Sequence, residues 1–178
     1  MANMFNPKRR HFLKVGLLGS ATLTVAACST FVARDSEKCH DCKWLGHEDR
    51  HLLNALIPVM LSGALPGDMH ERKKALEEII TGFDISVSHF PKTVRDEIEQ
   101  LLWVLEFPVT RSLIGGVWSS WRNVSENNVK ELLNNWKNSD FDLLRIGYTA
   151  LHDLISGSWY ANPRSWQRID YPGPPKIL

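Results

Sequence analysis

The chain has 178 residues and a formal net charge of +1, with seven Trp and three Cys. So even a balance lacks the basic excess that phosphate neutralisation requires, and nucleic acid is not an expected partner. The absence of a glycine-rich phosphate loop, a dinucleotide fingerprint and an internal repeat excludes the common nucleotide-binding and solenoid classes.

Residues 1–27 read as an export leader. Arg9-Arg10-His11-Phe12-Leu13-Lys14 resembles the twin-arginine (Tat) signal, with Arg9, Arg10, Phe12, Leu13 and Lys14 on its consensus positions and Lys8 where Ser or Thr is usual. A mildly apolar run follows, too short for a span of about 20 residues. Its end, Val25-Ala26-Ala27-Cys28, resembles a lipobox, in which Cys28 is acylated and anchors the chain to a membrane surface; ordinary cleavage nearby is the other reading. The leader holds four of the 21 basic residues and no acidic one, so its removal takes the net charge to −3. About 150 residues then remain, one domain of ordinary size. The expected location is the periplasm, reached by the Tat route.

Residues 28–47 are polar and lack apolar periodicity, and read as a tether. Cys39-His40-Asp41-Cys42 is followed by His47 and His51, giving C-x2-C-x4-H-x3-H. Four such donors suit tetrahedral zinc. An oxidising compartment instead favours a disulfide, either between Cys39 and Cys42 or to a partner, and free thiols are the remaining state. Lys43 stands where covalent haem attachment needs a histidine.

The helical domain spans residues 48–178. From Glu48, Leu52, Leu53, Leu56 and Ile57 share one helical face until Pro58 kinks or ends it. Residues 62–68 read as a loop. A second helix is expected over 69–81, closed by Gly82. Pro91 introduces a third, with Val94, Ile98, Leu101, Leu102 and Leu105 on its apolar stripe. Pro108 ends that helix or restarts a short one. A fourth helix covers 125–136. The fifth begins at a capping-box spacing, Ser139-Asp140-Phe141-Asp142, and aligns Leu143, Leu144, Tyr148, Leu151, Leu154, Ile155 and Trp159. No convincing strand pattern occurs. The expected fold is all-α, an irregular bundle of about five helices with an aromatic, Pro-rich, extended tail.

No constellation suggests catalysis. Glu48 to His51 is one E-x-x-H where a di-iron bundle needs two. His152-Asp153 lies within a helix, and Ser119 and Ser120 lack a nucleophile-elbow context.

The leader, the small helical body and the ending "LISGSWYANPRSWQRIDYPGPP" together resemble the small (gamma) subunits of flavin-dependent dehydrogenases of the glucose–methanol–choline class, the gluconate 2-dehydrogenase subunit 3 family. Their recurrent finish is matched here by Trp159, Tyr160, Pro163, Trp166, Tyr171, Pro172, Gly173, Pro174 and Pro175. Residues 52–68 are similar to the family's first helix and loop. Asp170 stands where the family more often has Gly, and the Cys39–Cys42 segment is not part of its pattern. The resemblance implies a non-catalytic accessory subunit with no cofactor of its own. Its partner would be a large, FAD-carrying sugar or alcohol dehydrogenase subunit, and the complex can include a cytochrome c subunit. The small subunit would assist maturation and lend its Tat signal to the pair. Trp159, Tyr160, Trp166, Tyr171 and Pro172 are the expected interface anchors, with Trp118 and Trp121 as further candidates. The alternative is a stand-alone periplasmic lipoprotein with a structural or zinc- or thiol-binding role.

Overall fold

The computed structural model describes residues 39, 41–116 and 118–174; the side chains of 113–115 and 168 are also outside the description. The residues expected to form a twin-arginine signal, Arg9, Arg10, Phe12, Leu13 and Lys14, the expected lipobox residue Cys28 and Pro175 lie outside the described residues.

The described residues form seven α-helices, one 3-10 turn and no strand. The fold is all-α. Five helices are long: α1 (His47–Met60), α2 (Met69–Ser88), α3 (Lys92–Glu106), α5 (Glu126–Lys137) and α6 (Asp142–Tyr160). Two are short: α4 (Pro108–Gly115) and α7 (Pro163–Trp166), with the 3-10 turn Gln167–Ile169 after it.

Helix α1 lies at the centre, touching α2, α3, α5 and α6. Its stripe of Leu52, Leu53, Leu56 and Ile57 is wholly buried, which explains the position, since each such side chain contributes about 1.5–3 kcal/mol when fully removed from water. Pro58 falls in its last turn and removes one backbone hydrogen bond there, and the helix ends two residues later. Helix α6 packs between α2 and α5 through Leu151, Ile155 and Trp159.

Three expectations need correction. Helix α2 does not stop at Gly82 but runs on to Ser88, because Phe83, Asp84 and Val87 continue the buried face. Gly82 faces the Ser158 side chain of α6, where a Cβ would make an ordinary contact at 3.5 Å. Helix α6 starts at Asp142 with Phe141 in the N-cap position, and the Ser139 hydroxyl accepts instead from the Phe141 N–H at 3.1 Å. Leu143, expected on the core stripe, is 77% exposed: at 3.6 residues per turn it falls about 80° from Leu151, at the edge of the buried face. The third correction concerns the tether. Cys39 and Leu45 are buried, and the segment between them packs on the bundle.

Candidate functional site

The C-terminal segment follows from four local choices. Asn162, two residues after α6, caps α7, its side-chain oxygen accepting from the Arg164 N–H at 2.9 Å. Pro163 takes the first helical position, where its missing N–H is harmless. Arg164 then reaches back across the bundle to α2. Its Nε and Nη2 donate to the two oxygens of Glu78 at 2.9 and 3.0 Å, and Nη1 pairs with Glu71. Asn162 Nδ2 adds a bond to Glu78 at 2.7 Å. The Arg164 hydrogen bond holds the Glu78 carboxyl below its ordinary 4.5, against the opposing push of burial.

On this clamp sits an aromatic corner. The Trp166 indole N–H donates to the Tyr160 carbonyl at 2.8 Å, and the Tyr171 N–H to the Trp166 carbonyl at 3.0 Å. The Tyr171 ring meets Trp166 edge-on, with centroids 5.7 Å apart. Gly173, at φ +95°, lies against the indole so closely that a Cβ would come within 3.0 Å of it. The Tyr160 and Tyr171 rings remain substantially exposed, and Pro163, Pro172 and Pro174 face outward. The corner thus offers two tyrosines and three prolines on a rigid, half-buried tryptophan.

The structure divides the expected anchors. Tyr160, Pro163, Trp166, Tyr171, Pro172, Gly173 and Pro174 come together in this corner. Trp159, one residue before it, points the other way and is 1% exposed, a core residue. Trp121 is likewise core: its indole N–H donates to the Leu105 carbonyl at 2.9 Å, and the Arg111 guanidinium lies 5.7 Å from the ring centroid. Trp118 is 81% exposed. Phe141 and Ile146 join Leu143 as exposed apolar residues at the start of α6.

At the other end of the described chain, Cys39 and Cys42 form a disulfide, with Cα atoms 5.2 Å apart. The expected zinc set is therefore not assembled: its two sulfurs are bonded to each other, His47 is exposed, and His51 lines an open cleft of about 570 Å³ with Asn54, Pro58, Trp121 and Arg122. Among the described residues, no three His, Cys, Asp or Glu side chains converge as metal ligands. Glu48 pairs with Arg122 at 2.9 Å. His152 Nδ1 lies 3.3 Å from Asp153 Oδ1 on the surface of α6.

The disulfide loop is fastened by Asp84. This carboxylate, on α2 and 4% exposed, accepts three successive backbone N–H groups: Lys43 at 2.7 Å, and Trp44 and Leu45 at 2.8 Å each. Asp49, in the first turn of α1, takes the Gly46 N–H at 2.7 Å. Arg50 reaches from α1 to lie with Nη1 3.9 Å from both sulfurs, while Nη2 pairs with Glu77.

Among the described residues, no helix is long and apolar enough to cross a membrane. Comparison of the chain with family models, curated proteins and solved structures found no match in any of the three.

Proposed function

We propose that this chain is a non-catalytic accessory subunit, which binds a cofactor-loaded flavoprotein dehydrogenase and supports its maturation and Tat-dependent export to the periplasm. The C-terminal corner is its docking surface, and Tyr160, Trp166, Tyr171 and Pro172 are the anchors. Tyr and Trp held rigid at a surface lose little entropy on binding, which is why such residues dominate interface energetics.

The observation that carries the reading is at Asp170. There the chain departs from the family's ending, with Asp in place of the more usual Gly. The backbone at Asp170 has φ +51°, the left-handed region that glycine enters freely and aspartate tolerates. The departure falls at a position whose geometry suits the family's residue, and that supports the resemblance of the ending.

The test is purification through a C-terminal tag from the periplasm and membrane of the native cell, with an absorbance spectrum. Co-purification of a larger polypeptide with a flavin spectrum is expected; a lone colourless protein would overturn the reading. In the complex, Tyr160→Ala and Trp166→Ala should each weaken binding by about 30-fold, the equivalent of about 2 kcal/mol. The far-UV helical signal should stay intact in both.

A further inference from the structure

The loop at Cys39 carries more chemistry than a structural staple requires. A bond between residues three apart closes a very short loop and removes little entropy from the unfolded chain. The loop is also held without it. Asp84 binds three of its N–H groups, Leu45 is fully buried, and the Cys42 N–H donates to the Cys39 carbonyl at 3.0 Å. Breaking the S–S bond would still leave the backbone around both cysteines held by these contacts.

Two further features point the same way. The Arg50 guanidinium, 3.9 Å from both sulfurs, places positive charge where a thiolate would form, and Glu77 fixes its other end. The sulfurs differ in access: Cys39 is 5% exposed, whereas Cys42 is only partly buried. Cys42 is thus the more accessible residue, and whichever sulfur leaves does so beside the same cation.

We propose that Cys39–Cys42 is a thiol–disulfide exchange site whose co-reactant is a dithiol. A thiolate of the dithiol attacks Cys42 Sγ. As the new S–S bond forms, the Cys39–Cys42 bond breaks and its electron pair leaves on Cys39 Sγ beside Arg50. The second thiolate of the dithiol then attacks its own sulfur in the mixed disulfide and releases Cys42 as a thiolate. Two electrons pass from the dithiol, which becomes a disulfide, to the protein pair. The two protons lost by the dithiol are matched by those the protein thiolates take up. Arg50 stabilises the departing sulfur and is a positioning residue. The inference rests on this loop alone and is independent of the accessory role proposed above.

The test equilibrates the full chain in dithiothreitol and glutathione redox buffers and traps free thiols by alkylation. Peptide mass mapping locates them, so that Cys28 is read separately. Circular dichroism is recorded on the same samples. The expected result is reduction at ordinary glutathione ratios with the helical signal unchanged, and Cys42 as the first site of mixed disulfide. Arg50→Met should slow reduction by about fivefold or more, and Arg50→Lys should restore most of the rate, because leaving-group stability sets the exchange rate. Reduction only when the helices unfold, first modification at Cys39, or an unchanged rate in Arg50→Met would each overturn the proposal. Should Arg50→Met fail to fold, the order of modification and the retention of helix in the wild-type chain still decide it.

Discussion

Replacing Asp84 tests whether the segment before α1 belongs to the folded body. In Asp84→Asn the amide oxygen can keep the bonds from Trp44 and Leu45, which share Oδ1. The new NH₂ group then faces the Lys43 N–H across 2.7 Å, donor against donor. One charge-assisted bond is lost, the Lys43 donor is left facing a second donor, and the two surviving bonds lose their charge. Together these predict about 2–3 kcal/mol of destabilisation. In Asp84→Ala all three N–H groups lose their acceptor. Water can reach those of Lys43 and Trp44, but Leu45 is buried, so the cost should be about 3–5 kcal/mol. Urea unfolding followed by far-UV circular dichroism should show the midpoint fall with little change in slope, and the melting temperature should drop by roughly 5–10 °C in Asp84→Asn. A loss below about 1 kcal/mol in Asp84→Ala would refute the reasoning, since it would mean that the loop is not bound through this carboxylate.

Two other perturbations reach different parts of the bundle. The Glu78 carboxyl titrates lower in the folded state than in the unfolded chain, so as pH falls below about 4.5 the unfolded state takes up the proton first. The stability contributed by the Arg164 clamp is therefore fully present above that range and is lost as pH falls through the folded value; Glu78→Gln should flatten the acid limb of a plot of melting temperature against pH between 3 and 6. Gly147→Ala should destabilise by about 1 kcal/mol in urea unfolding: the added Cβ would lie 3.0 Å from Leu101 Cδ1 and 3.3 Å from Trp136 Cζ3, and this overpacking outweighs the gain in helix propensity. A more stable Gly147→Ala protein would count against that packing.

The long helices were legible because their apolar residues recur at three and four, and each stripe is long enough to exclude a strand. What misled was punctuation. Gly82 reads as a stop, but α2 runs through it because Phe83, Asp84 and Val87 continue the buried face, and no local signal separates a glycine that ends a helix from one that does not. Ser139 reads as a cap because the spacing fits, but the first backbone bonds of α6 go to the Phe141 carbonyl. The disulfide loop was legible as a cysteine pair and illegible as part of the body: the residue that binds it, Asp84, lies about 40 positions away and is an ordinary acid on a charged helix. In the C-terminal corner the sequence marks the aromatic and proline residues that the structure brings together. It did not show that Trp159 and Tyr160, adjacent in the chain, face opposite ways.

The fastening of the loop also determines how the body bears load. A pull on the chain from its N-terminal side reaches the described body at Cys39 and passes through a covalent bond to Cys42. The next points of resistance are the N–H groups of Lys43, Trp44 and Leu45, all gripped by the two oxygens of one carboxylate. They are therefore strained together and do not open one after another. Behind them Leu45 is seated in the core, so peeling the segment away would require a hydrophobic anchor to leave the interior. Tension along the chain is carried at the seam with α2, and the first turn of α1 is shielded from it.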